Sequence, residues 1–179
     1  SKLEENLTIE TVTEDLRIKK EVISKLSFKD NIFSNTSSIK LSEIGENING
    51  IHFMNPITVP LIELCKRKQY SDILLNELIM SLKNYSYEVI NVTDKPGFLV
   101  NRILFKEISY FFYLFEIENK SIYELKKIYK VLLKSSDPIK IVNMIGIDTS
   151  LSILENLNKD DNNIYVPNIL KDSVKKGIL

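Results

Sequence analysis

The chain changes character at Asp94-Lys95-Pro96-Gly97-Phe98, and that switch does more than any other feature to limit its fold. Upstream, short apolar runs alternate with helical ones. "NLTIETVTEDL" alternates at Leu7, Ile9 and Thr11 and reads as a strand entering a loop. Between Leu16 and Leu26, Ile18, Val22 and Leu26 recur every four residues, the spacing of an amphipathic helix. "NIFSNTSS" is a short strand that breaks into a polar loop at Asn35, "GIHFMNP" a strand ended by Asn-Pro, and "LIELC" another strand. Ser71 is placed to cap a helix over 72–83 with Leu74, Leu75, Leu78 and Leu82 on one side, and "YEVINVTD" returns as a strand. Downstream every segment is helical: 99–118, 122–134 behind a capping box of Ser121 and Glu124, 139–145, 148–157 and 167–176. The expectation is an α/β piece, residues 1–94, with a parallel sheet and crossover helices, followed by an all-α piece, residues 95–179.

Charge excludes some functions. Lys plus Arg and Asp plus Glu are equal at 24 each, so no basic field is available to hold nucleic acid. Runs such as "LKKIYKVLLK" read as solvated helix faces. Cys65 and His52 are each the only residue of their kind, which rules out an internal disulfide and leaves a zinc site without ligands. The most apolar run, "ISYFFYLF" at 108–115, is far short of the roughly 20 residues that cross a bilayer. The N-terminal residues lack the basic and apolar regions of a signal peptide, and the first residue is not methionine, as in a processed or partial chain.

Chemistry concentrates around His52. Asn55-Pro56 follows closely, and Glu63 stands between Ile62 and Leu64. An imidazole held by a carboxylate can serve as a general base, since it exchanges protons near neutrality. On the residues alone, other readings stand beside this one. His52 can be a satisfied structural histidine, Glu63 a rim carboxylate, Ser37 a turn or cap residue, Asn101 a surface residue of a first helical turn, and Glu14 with Lys19 a solvated pair. Cys65, in an apolar strand-like run, reads as a buried inert thiol ahead of a nucleophile.

Taken together and in order, "TEDLRIKKEVISKL", "SNTSSIKLSEI", "HFMNP", "LIEL", "DKPGFLVNRIL", "MIGIDTSLSIL" and "YVPNILKDSVKKGIL" resemble the 3-hydroxyacyl-CoA dehydrogenase family, from about residue 7 to the end. The resemblance implies a Rossmann-type NAD-binding domain followed by a helical dimerisation domain, with hydride transfer between NAD and C3 of an acyl-CoA substrate. It implies His52 as the base and Glu63 as the group that orients it. Ser37 and Asn101 become substrate-binding residues, and Glu14, Lys19, Ser37 and Asn55 cofactor-binding residues. It implies no metal, no nucleic acid and no membrane, a homodimer through the helical domain, and an intracellular, soluble location in cytoplasm or mitochondrial matrix.

The chain also departs from the family pattern. The Gly-rich G-x-G-x-x-G turn of the nucleotide domain does not occur: the five glycines stand at 45, 50, 97, 146 and 177. A chain of this content corresponds to the second part of that domain only and is expected to be incomplete for activity. The eleven-residue separation of His52 and Glu63 is one shorter than usual in the family, a deletion assigned to "ITVP". Where the family has Pro-Met-Gly-Pro, this chain has Ser135-Ser136-Asp137-Pro138. Two functions therefore stand side by side. One is the dehydrogenase. The other is a truncated, non-catalytic homologue that works as a dimerisation module through an apolar face at Tyr110, Phe111, Phe112, Leu114 and Phe115.

Overall fold

The computed structural model describes residues 7–27, 31–54, 59–67, 72–131 and 137–178. Asn55, Ser71, Ser135 and Ser136 lie outside the described residues. The chain divides into two compact units, Ser1–Leu99 and Val100–Leu179.

In the first unit, β1 (Thr8–Glu10), β2 (Ile32–Ser34), β3 (Ile48–Phe53), β4 (Leu61–Cys65) and β5 (Glu88–Val92) form one sheet in chain order. Helices α1 (Leu16–Ser24), α2 (Leu41–Ile44) and α3 (Asp72–Asn84) connect them. The first three strands run parallel, β4 runs antiparallel to β3, and β5 is again parallel to β4. The sheet is thus mainly parallel, but the antiparallel β4 departs from the parallel sheet that the alternation of elements leads one to expect. The reason is length. Only residues 54–60 separate β3 from β4, whereas a parallel return needs about a dozen residues or more. The four-residue helix α2 shows no periodicity in the sequence because it is barely longer than one turn.

Register settles which side chains share a face. Glu10, Ser34, Gly50, Cys65 and Val92 stand in one row across the five strands. Side chains in a row, and those two residues along a strand, point the same way, so His52 and Glu63 share that face. There Ile32, Ile48 and Cys65 pack against Leu41 and Ile44 of α2, Leu16 and Ile23 of α1, and Phe98. The opposite face sets Phe33, Ile51, Ile62 and Leu64 against Leu75, Leu78 and Leu82 of α3.

The second unit comprises α4 (Val100–Glu116), α5 (Ile122–Val131), α6 (Pro138–Ile145), α7 (Ile147–Asp160) and α8 (Asn168–Lys175). Its core gathers Phe105, Ile108, Phe111, Leu125, Val142 and Leu154, among others. Phe111 and Phe112, which the sequence suggested as a surface for association, belong to this core, and Leu114 and Phe115 pack against it; Tyr110 is exposed. Asp137 caps α6 by accepting from the Ile139 amide at 2.9 Å, with Pro138 at the first helical position. The N-terminus of α8 is capped from a distance. Glu116, at the end of α4, accepts from the Asn168 and Ile169 amides, each at 2.9 Å, and from the Tyr165 hydroxyl. Burial pushes the Tyr165 phenol up to about 12, and its bond to Glu116 adds to the rise, so it remains a donor at neutral pH.

Leu154 has no exposed surface in this core. Leu154→Ala should lower the unfolding free energy of the helical unit by about 2–5 kcal/mol, read as a shifted urea midpoint. A shift below about 1 kcal/mol would contradict the packing described.

Candidate active site

The centre of the first unit's polar face is a cross-strand pair. The antiparallel register sets His52 of β3 directly opposite Glu63 of β4. Residues so paired have side chains on the same face with Cβ atoms about 5 Å apart. Nδ1 of His52 lies 2.7 Å from Oε2 of Glu63. The Leu99 amide donates to the other carboxylate oxygen, Oε1, at 2.8 Å. Glu63 has no exposed surface, and His52 is 7% exposed. A carboxylate oxygen accepting at Nδ1 fixes the tautomer with its proton on that nitrogen and leaves Nε2 as the acceptor. The eleven-residue spacing is therefore compatible with the pair, which stands in register across β3 and β4.

A second polar cluster sits at the carboxyl ends of β1 and β2. Lys19, on the buried side of α1, is 1% exposed. Its ammonium donates to Glu10 at 3.0 and 3.3 Å and to the Val12 carbonyl at 3.1 Å, and it lies 3.4 Å from Oε2 of Glu14. Glu10 also accepts from the Ser34 hydroxyl at 2.6 Å and the Val12 amide at 2.7 Å. These bonds are what make burial of the charges tolerable. Oε1 of Glu14 collects the turn that follows β2: the Thr36 hydroxyl at 2.7 Å, the Ser37 amide at 2.9 Å, and the Ser38 amide and hydroxyl at 2.7 and 3.0 Å. Burial acts to raise the Glu14 carboxyl. The Thr36 hydroxyl, the Lys19 ammonium and the Ser38 donors outweigh it and hold the group below its ordinary value of 4.5.

The residues singled out in the sequence are thus distributed as follows. His52 and Glu63 are brought together. Glu14, Lys19 and Ser37 form the second cluster, joined to the strand that carries His52 where the Asn35 side-chain oxygen accepts from the Phe53 amide at 2.9 Å. Asn101 is buried in the first turn of α4, in the helical unit. Asn55 lies outside the described residues. Sequence reasoning missed Glu10, Ser34 and the Leu99 amide. The first two carried a signal, since an acid and a hydroxyl at the ends of short strands must meet a partner once buried. The amide carried none. Burial, with Asp94 adding and Arg67 opposing, pushes the Cys65 thiol up to about 11, so it is protonated and unreactive at neutral pH. Among the described residues no group of His, Cys, Asp and Glu side chains could hold a metal ion, and no helix is long and apolar enough to cross a membrane.

A helix-covered, mainly parallel sheet with polar side chains at the carboxyl ends of its strands is the architecture of nucleotide-binding α/β proteins, here followed by a separate helical unit. Residues 1–95 match the family model described as 3-hydroxyacyl-CoA dehydrogenase, NAD binding domain, and the chain belongs to that family. It is 33% identical over 162 residues to the fatty acid oxidation complex subunit alpha of Acinetobacter baylyi, covering 83% of this chain and 22% of that one. It is similar to the (S)-3-hydroxybutyryl-CoA dehydrogenase of Ralstonia eutropha, with a TM-score of 0.77 and 29% identity over 96% of this chain and 65% of the other. The fold is also that of M. tuberculosis FadB2, with a TM-score of 0.82 and 22% identity over 96% of this chain and 66% of the other. The chain thus spans less than a quarter of the curated relative and just under two thirds of these two solved structures.

The depressed Glu14 carboxyl predicts a pH-dependent contribution to stability. A group whose folded value lies below its unfolded one stabilises above the unfolded value and loses that contribution as pH falls through the folded one. Glu14→Gln should therefore unfold at lower urea than the unaltered chain at pH 7, and the gap should narrow as pH drops below 4.5. A gap that stays constant from pH 7 to about 3 would refute the assignment.

Proposed function

We propose that this chain carries the catalytic histidine of an NAD-dependent 3-hydroxyacyl-CoA dehydrogenase acting in fatty acid metabolism. The observation that carries the reading is the 2.7 Å contact between Nδ1 of His52 and a fully buried Glu63. As the C3–H bond of the substrate gives up its electron pair, the hydroxyl proton passes to Nε2 of His52 and the C3–O bond becomes a carbonyl. In the reverse direction His52 returns the proton. Glu63 holds the Nδ1 proton and stabilises the imidazolium that forms. In this reading Ser37 and Asn101 are substrate-binding residues and Asn55 is a cofactor-binding one. NAD, when bound, supplies the hydride acceptor. The residues present suit the ribose at its nicotinamide end. Glu14 is partly exposed with Oε2 3.4 Å from the Lys19 ammonium, and the partly exposed Ser37 sets its hydroxyl 3.4 Å from Oε1.

The full-length protein is the one to assay. His52→Ala should reduce kcat for NAD-dependent oxidation of 3-hydroxybutyryl-CoA by roughly 10²–10⁴-fold while leaving the circular dichroism spectrum unchanged. Ordinary turnover by that variant would sink the proposal. Absence of turnover by the unaltered full-length protein would favour the non-catalytic dimerisation module instead.

The helical unit supports self-association in either case. With most of the aromatic run spent on its own core, the exposed apolar residues of α4 are Ile103 and Tyr110, with Ile117 just past its end, a stripe repeating every seven residues. We infer a homodimer through this stripe. Sedimentation equilibrium should give twice the chain mass, and Tyr110→Glu should give the chain mass. A wild-type protein that stays monomeric at high concentration refutes it.

A further inference from the structure

The segment from Asp94 to Leu99 is fastened at both ends, to α2 and Arg67 at one and to β4 at the other. Asp94 accepts from the Leu41 amide at 2.7 Å and the Ser42 amide at 3.0 Å, and pairs with Nε of Arg67 at 3.0 Å. The Leu99 amide reaches Glu63. Between them, the Phe98 amide donates to the Lys95 carbonyl at 3.0 Å, with Pro96 and Gly97 at the two central positions. Gly97 has φ +73°, as the second central residue of a type II turn requires. Phe98 follows with φ +41°, a left-handed backbone that a bulky side chain rarely adopts. A residue stays in such a conformation only where its surroundings over-determine it, and such residues gather at functional sites.

What determines Phe98 is visible around its ring, which is 4% exposed. The ring lies over Gly50, two residues before His52 and on the same face. A Cβ at position 50 would stand 2.9 Å from Cζ of Phe98, 3.0 Å from Cδ1 of Leu41 and 3.1 Å from Cβ of Cys65. The bare backbone of Gly50 is thus what gives the ring its seat. From there the ring meets the imidazole of His52, centroid to centroid at 6.0 Å with a tilt of 44°.

We propose that Phe98 is a positioning residue for His52. Its ring, seated on Gly50, closes off the imidazole and keeps water from the Nδ1–Glu63 hydrogen bond, while the next residue along supplies the second donor to the same carboxylate. Ring and amide come from one turn, so the conformation that places one places the other. Excluding water strengthens a hydrogen bond between polar partners and removes the competitor that would let the imidazole rotate. The catalytic part of this proposal rests on His52 being the base; the structural part does not.

The experiment follows the imidazole Nδ1–H signal of His52 in the proton spectrum of the full-length protein, assigned as the signal that His52→Ala removes. Phe98→Leu keeps an apolar side chain over Gly50 but removes the ring. Exchange of the Nδ1–H proton with water should quicken by about tenfold or more, and kcat should fall by about tenfold with KM within about twofold, because an orientation is lost and a binding contact is not. The urea midpoint should stay close to that of the unaltered protein. Unchanged exchange in Phe98→Leu overturns the proposal. If Phe98→Leu does not fold, Gly50→Ala, which pushes the ring from below, is read in the same way. Where Phe98→Leu folds, the double variant should recover stability over Gly50→Ala alone, since the shorter leucine leaves room for the methyl group, while exchange stays fast. Slow exchange in the double variant would overturn the proposal too. Normal turnover by His52→Ala removes the base reading, and the exchange rates still decide the role of Phe98.

Discussion

A carboxylate without exposed surface has to find its hydrogen-bond donors inside the protein, because leaving one oxygen unmet costs about 1–3 kcal/mol or more for a charged group. Glu63 finds Nδ1 of His52 on one side and the Leu99 amide on the other. Each donor places a demand on the fold. The first requires β4 to run against β3 in the register that opposes Glu63 to His52. The second requires the chain leaving β5 to turn back across the sheet, which the Pro96-Gly97 turn achieves. The direction of one strand, the length of one connection and the sequence of one turn all serve a single buried acid.

The other buried acid of this face, Glu10, applies the same logic at the strand ends. It stands in the row with Ser34 and Gly50, takes the Ser34 hydroxyl, and holds the ammonium of Lys19. That ammonium ties α1 to β1 by charge where the apolar contacts of Leu16 and Ile23 tie it to the sheet by packing. Because Lys19 also faces Glu14, the grip passes on to the turn after β2. The two carboxylate networks lie on one face of one sheet, and the bond from Phe53 to Asn35 joins the strand of the first to the turn of the second.

How much of this could be read in advance depends on the range over which each feature acts. Helix α1 and the helices from α3 onward show themselves through apolar spacing, and the five strands through short runs between turn residues, since both are local patterns. The pairing of His52 with Glu63 was legible only as a resemblance. The reversal at β4 was present in the short connection over 54–60, but alternation of strand and helix had suggested an all-parallel sheet. The aromatic run at 108–115 looked like surplus apolar surface because the partners that cover Phe111 and Phe112, such as Tyr129 against Phe111, come from helices distant in sequence. Bonds that end on a backbone amide, as at Leu99, leave no mark on the sequence at all.

The turn over residues 36–38 has one more consequence. Consecutive backbone amides pointing into a hollow are a common receptor for anions such as phosphate. Here the hollow is filled from within: the Ser37 and Ser38 amides both point at Oε1 of Glu14. The protein supplies its own resident anion. A phosphate approaching this turn would meet donors already engaged and a negative charge in place. A sugar hydroxyl would meet an acceptor ready for its proton. The loop thus sorts what approaches it by charge before it sorts by shape.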